Sequence, residues 1–304
     1  MVVADRDRPD ALAPVMAPRR WDAVVDVATQ PGHVRRAVRD LGPAASRFVF
    51  VSSANAYASL AGAGVTEDAP LHPPLASGTM PSPADYGPAK VACEQAVIAG
   101  FGAERSAVVR PGLIGGPGDP TGRSSYWPAR FARPSNPAGD VLAPDAAAQP
   151  TSMIDVRDLA AWVVRLAEGA ASGVFNATGD PAPFEDHIAA ARAVAGHRGR
   201  LVTAPADWLL ARGVAPWMGP RSLPLWLPDR SVAGLGALSN ARARAAGLAL
   251  RPLSQTLADT LAWVRDDGVA TAVGAGLADA EELELLPDAR QRGLPLERTD
   301  ERLG

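Results

Sequence analysis

The sequence predicts an α/β fold: a doubly wound parallel sheet with a smaller mixed α/β region attached. Three observations carry this. Short apolar, β-branched runs alternate with amphipathic helical runs through the first half, the pattern of parallel strands joined by crossover helices. Residues able to do chemistry recur just after those runs, at the carboxyl ends of the predicted strands, where open α/β sheets bind ligands. The chain also has 304 residues, 47% of them hydrophobic and 21% charged, enough for one large domain or two ordinary ones.

Trp21 to Ala28 reads as a short buried strand, Gly32 to Leu41 as an amphipathic helix, and Arg47 to Ser53 as a second buried strand. A Pro- and Gly-rich loop follows from Ala58 to Pro83; a loop of that length inside a domain is more often functional than idle. Tyr86 to Phe101 predicts a helix and Ala107 to Gly115 a third strand. Gly116 to Pro150, dense in Pro, Gly and Asp, reads as irregular substrate-facing structure. Thr151 to Ile154 leads into a helix over Asp155 to Glu168, then a strand over Gly173 to Thr178, and this stretch is expected to return to the main sheet. Asp180 to Gly196 is helical and Arg200 to Ala204 a short strand. Trp208, Trp217 and Trp226 stand among prolines in a segment the pattern does not assign. Leu253 to Asp266 is the last strong helix, and the acidic remainder reads as peripheral, with one helix near Ala278 to Leu286.

Composition excludes several functions. A net charge of -3 gives no general pull toward nucleic acid or anionic lipid. Cys93 is the single cysteine, so neither an internal disulfide nor a Cys-built metal site is available. His33, His72, His187 and His197 are scattered without ligand spacing, and no metal is expected. No apolar stretch reaches the ~18 residues of a membrane helix, and Met1 to Asp10 lacks the apolar core of a signal peptide. A cytoplasmic protein with a small-molecule substrate is expected.

One residue stands out by rarity. Of 30 basic residues, Lys90 is the only lysine. In a chain whose positive charges are otherwise arginine, a retained lysine suggests a position that needs a compact ammonium. Three tyrosines occur, and Tyr86 lies four residues before Lys90, on one helix face. Chance would place the lysine so in about 1% of cases. An isolated phenol titrates near pH 10, and an ammonium one turn away favours its anion, which suits proton exchange with a substrate hydroxyl or carbonyl. A strand-end serine opposite, Ser52 or Ser53, could hold the substrate oxygen. No Gly-x-Ser-x-Gly elbow supports a hydrolase.

The set Val51-Ser-Ser-Ala-Asn-Ala-Tyr57, Tyr86-Gly-Pro-Ala-Lys90, Arg110-Pro-Gly-Leu-Ile-Gly-Gly-Pro117 and Ile154-Asp-Val-Arg-Asp-Leu-Ala160 resembles the extended short-chain dehydrogenase/reductase superfamily, and within it the NAD-dependent epimerase/dehydratase branch. The likeness runs from Arg20 to about Arg265. It implies a Rossmann-type sheet and NAD or NADP as cofactor. Residues 1–115 and 151–180 would form the dinucleotide-binding core, 116–150 and 181–266 a substrate-binding region, and 267–304 a peripheral tail. It implies Tyr86 as general acid/base, Lys90 as its activator and ribose anchor, and Ser53, four residues before Tyr57, as partner of the substrate oxygen. Cofactor contacts are implied from Asp5, Val27, Ala28, Lys90, Pro111, Gly112 and Leu113. Asn55, Arg123, Tyr126, Trp127 and Arg130 are candidates for substrate contact, and a homodimer is compatible with the resemblance.

The resemblance departs at one place. The family opens with a strand, a glycine-rich turn and a helix whose N–H groups hold a diphosphate. Here Met1 to Asp7 already resembles the family's third strand, so two strand–helix units, about 60 residues, have no counterpart. A late start, a truncation, or a relative that has lost nucleotide binding would each give this pattern. The expected consequence is an apolar edge on Trp21 to Ala28 and no neighbours for Val2 to Ala4. The activity implied is NAD(P)-dependent oxidoreduction, epimerisation or dehydration of a small hydroxylated molecule, such as a nucleotide sugar. The alternative is a non-enzymatic remnant, or a nucleotide-sensing or RNA-binding type of regulator.

Overall fold

A computed structural model of the chain describes residues 3–16, 20–169, 171–266 and 274–292. In chain order its main elements are β1 (Trp21–Asp26), α1 (Pro31–Leu41), β2 (Ala45–Val51), α2 (Tyr86–Phe101), β3 (Ser106–Pro111), α3 (Tyr126–Ala132), β4 (Val141–Pro144), α4 (Val156–Ala167), β5 (Gly173–Ala177), α5 (Phe184–Ala195), β6 (Leu201–Ala204), β7 (Ala215–Trp217), β8 (Ser222–Pro224), α6 (Ala241–Ala245), α7 (Leu253–Asp266) and α8 (Asp279–Arg292). They form two units. The first comprises Met1–Leu113, Ser152–Asp180 and Gly234–Leu250, and the second Ile114–Thr151, Pro181–Ala233 and Arg251–Gly304.

The first unit is built on a four-stranded parallel sheet in the order β1-β2-β3-β5. Val25 pairs with Val49, Val49 with Ala107, and Val109 with Phe175. Helices cover both faces, so the inner strands are apolar throughout rather than alternating. On one face, Val34 and Ala37 of α1 and Cys93, Val97 and Phe101 of α2 pack on Phe48 and Phe50 of β2. The rings of Phe48 and Phe101 meet edge to face at 5.1 Å. α2 is apolar on nearly all sides and rich in small residues, which lets it lie close; a Cβ on Gly100 would come 2.1 Å from Val38 Cγ1. α4 buries Leu159, Trp162 and Leu166, with Trp162 5.4 Å from Phe175 of β5. Its start is set by Asp155, whose carboxylate accepts the N–H of Arg157.

β1 is the edge strand of this sheet, and Val25 and Val27 are 48% and 69% exposed. Val3 is 93% exposed, while Met1 and Val2 lie outside the described residues. The predicted strand over Ala107 to Gly115 is broken at Gly112, where β3 has ended. Gly234–Leu250, expected in the substrate region, belongs to the first unit: Asn176 of β5 donates to the Ser239 carbonyl and Asn240 to that of Thr178.

The second unit holds α3, α5, α7, α8 and the parallel pair β4–β6. Gly116 to Pro150 is therefore more ordered than its Pro and Gly content predicts: tertiary packing of Trp127 and Val141 overrides local propensity. Trp127 is the centre, ringed by Tyr126 at 5.0 Å, Phe184 at 5.7 Å and Phe131 at 6.0 Å. Its indole N–H donates to the Pro224 carbonyl. The predicted tail is only partly peripheral. α8 buries Leu285, Leu286 and Ala289, and Glu282 accepts the N–H of Leu142 on β4. Residues 267–273 and 293–304 of that tail lie outside the described residues.

Candidate active site

At the carboxyl end of the first unit's sheet, β2 runs out at Val51 into Ser52 and Ser53. Ser53 is extended (φ -161°) and its hydroxyl accepts the N–H of Asn55, which turns the chain into a single 3-10 turn, Ala54–Ala56. That turn lies against the start of α2: a Cβ on Gly87 would stand 2.2 Å from the Asn55 carbonyl oxygen. Tyr86 is the first residue of α2 and Lys90 sits one turn further.

Lys90 is buried, 2% exposed. Its Nζ donates to the carbonyls of Val51 (2.7 Å) and Ala28 (3.0 Å), at the ends of β2 and β1. The ammonium is 4.7 Å from the Phe50 ring centroid and 6.0 Å from that of Tyr86. Burial lowers its pKa to about 8, opposed by Cys93, Asp26 and Glu94. An ammonium has three N–H groups, so one remains beyond those given to the strand ends. The structure thus brings Ser53, Asn55, Tyr86 and Lys90 to one sheet end.

Behind them lies a polar cluster that sequence reasoning missed in part. The Ser52 hydroxyl donates to Glu94, and Arg110 grips Glu94 through Nε (3.0 Å) and Nη2 (2.7 Å), both side chains 3% exposed. Arg110 also donates to the Glu67 carbonyl and lies 4.9 Å over the Tyr57 ring. Tyr57 Oη donates to Asn176 Oδ1 at 2.6 Å, and the Asn176 N–H donates to the Glu67 carboxylate. This ties the ends of β2, β3 and β5 to the 58–83 loop. The signal available was spacing: Glu94 follows Lys90 by four residues and Tyr86 by eight, on the same helical face.

The other predicted cofactor residues are spread. Gly112 donates to the Ala177 carbonyl, and a Cβ there would meet Thr178 Oγ1 at 3.0 Å. Pro111 and Leu113 are buried beside it. Val27 is exposed, and the Ala28 N–H donates to Asp26. Asp5 is exposed, its carboxylate accepting the N–H of Asp7; its neighbour Arg6 is the side chain that reaches the end of β1, with both amino groups on Asp26.

Of the four residues expected around the substrate in the second unit, three serve its interior. Tyr126 and Trp127 are 2% and 0% exposed, and Arg130 is buried on Asp279 and the Leu277 carbonyl. Aromatic packing and desolvation fix them there. Arg123 is only half-buried.

Residues 31–177 match the model of the NAD dependent epimerase/dehydratase family. This segment belongs to that family. No curated protein sequence matches the chain. Solved structures share its fold. UDP-N-acetylglucosamine 4-epimerase from Bacillus cereus is 15% identical, with 89% of this chain and 86% of that one covered and a TM-score of 0.60. RMD from Pseudomonas aeruginosa, complexed with NADPH, is 18% identical, covering 88% of both chains at 0.57. WbmH from Bordetella bronchiseptica, in complex with NAD+, is 18% identical, covering 87% and 81% at 0.57. The fold of the chain is thus Rossmann-like, as the motifs predict. Among the described residues no helix is long and apolar enough to cross a membrane, and no cluster of His, Cys, Asp and Glu could hold a metal ion.

Proposed function

We propose that this epimerase/dehydratase-family chain is an NAD(P)-dependent enzyme acting on a small hydroxylated molecule, a nucleotide sugar being the example its structural neighbours suggest. The observation that carries this is the buried Lys90 ammonium, anchored by two strand-end carbonyls one helical turn from Tyr86. Tyr86 gives and takes the proton at the substrate oxygen, Lys90 places a positive charge beside the Tyr86 ring, and Ser53 orients that oxygen. Asn55, exposed on the same turn, is available to the substrate. A bound nicotinamide supplies the hydride chemistry that no side chain can.

The residues fit part of that cofactor. The remaining N–H of Lys90 suits a ribose hydroxyl. The diphosphate is different: α1 opens on Pro31, which has no N–H, and the N–H groups of Gly32 and His33 are given to the carbonyls of Gly78 and Gln30. The start of α1 therefore offers no free N–H pair for a diphosphate, and affinity for NAD(P)H decides the reading. Titration of the chain with NADH and NADPH, followed by fluorescence, is expected to give saturable binding that Lys90→Met weakens. Tyr86→Phe is expected to bind as before and to lose turnover by about 10²–10⁴-fold. Absence of binding would favour the non-enzymatic regulator or remnant.

A further inference from the structure

Arg123, in the second unit, stands in the turn ahead of α3. Its Nε donates to Thr121 Oγ1 at 3.0 Å, and that hydroxyl donates to Asp119 at 2.6 Å. Its guanidinium carbon lies 5.1 Å over the Trp217 ring. Asp119 is the carboxylate whose field reaches it, yet both Asp119 oxygens are occupied, by the N–H and hydroxyl groups of Thr121 and Ser124. Several other arginines of this unit are paired: Arg130 on Asp279, Arg212 on Asp288, Arg221 on Glu284. The two Nη groups of Arg123 have no partner among the described residues. Burial lowers its pKa, the direction expected of a cation that is desolvated more than it is paired.

The platform beneath it is held in an unusual conformation. Trp217 has φ +70°, in the left-handed region, and Arg221 and Leu225 nearby have +49° and +68°. Such strain collects at ligand-binding positions. A stacked face and a bonded Nε leave the end-on edge of the fork preorganised and open.

We propose that Arg123, clamped by Thr121 and Trp217, binds an oxyanion, the phosphate or carboxylate of a small molecule. This deepens the proposed function, resting on it only in taking that molecule to be a substrate. The binding itself stands on the second unit alone.

Calorimetric titration of the full chain with inorganic pyrophosphate, and separately with succinate, tests it. Saturable binding of at least one probe is expected, weakened on the order of 10-fold or more in Arg123→Gln and to a lesser degree in Arg123→Lys, which keeps the charge but not the fork. A response to pyrophosphate alone assigns a phosphate, and to succinate alone a carboxylate. Should Arg123→Gln not fold by circular dichroism, the lysine variant decides: unchanged affinity overturns the proposal. Equal affinity in wild type and Arg123→Gln, or no binding of either probe by the wild type, overturns it too. So does binding abolished by Lys90→Met and retained by Arg123→Gln, which would move the anion to the cofactor cleft. Failure to bind NADH or to turn over leaves this result readable, so the two readings fail separately.

Discussion

Lys90 Nζ donates to the Val51 carbonyl at 2.7 Å, so the only ammonium side chain of the protein is fixed to the strand end that carries Ser53, two residues on. The helix that presents Tyr86 is thereby held to the sheet by that side chain. A buried cation given to carbonyls rather than to a carboxylate keeps its charge at a cost, and its pKa of about 8 expresses that cost.

Stability should depend on pH through this group. Its folded pKa is below the unfolded value of 10.5, so from about pH 8 upward the unfolded chain binds more protons and stability rises with pH. Cys93, pushed by burial to about 12 from 9, acts in the opposite direction above pH 9. Urea unfolding at pH 7 and pH 9 should therefore show wild type gaining stability relative to Lys90→Met as the pH rises. A constant gap would place the amine in a solvated setting.

The Glu94–Arg110 pair should behave as a buried unit. Removing either partner leaves a buried charge and is expected to cost about 3–5 kcal/mol. Glu94→Leu combined with Arg110→Leu should lose clearly less than the sum of the single losses. Strict additivity in a double-mutant cycle would mean that the two are not coupled.

Gly87→Ala tests the contact between α2 and the Ser53 turn. The added methyl meets backbone, the Asn55 carbonyl, which has no rotamer to yield. A loss of about 1–3 kcal/mol is expected, with the Tyr86 geometry disturbed and turnover reduced beyond what stability explains. A variant as stable and active as wild type would separate the two segments.

His187 predicts acid sensitivity. It is buried on α5, its Nε2 unpartnered, and burial lowers its pKa to about 4 from 6.5. Between pH 6.5 and 4 the unfolded chain takes up the proton first, so stability falls by up to roughly 3 kcal/mol across that window. His187→Asn should flatten this limb in acid-unfolding curves; an unchanged limb would assign it to the carboxylates.

The sequence by itself determined the parallel sheet, the helix Tyr86–Phe101 to the residue, and the order of Ser53, Tyr86 and Lys90 along the chain. These rest on short-range rules: apolar runs of strand length, helical spacing of four, and the rarity of one side chain. What tertiary structure alone decided is who pairs with whom. Glu94 could not be told from a solvated helix residue until β3 brought Arg110 to it, sixteen residues on. Trp127 and Arg130 looked available to a ligand until Phe184, Asp279 and Pro224 enclosed them from 57 to 149 residues away along the chain. Long-range burial converts polar or aromatic candidates into core, and no local pattern records the distance over which that happens. It also left Arg123 open by giving Asp119 other donors, a choice made by two hydroxyls and two backbone N–H groups.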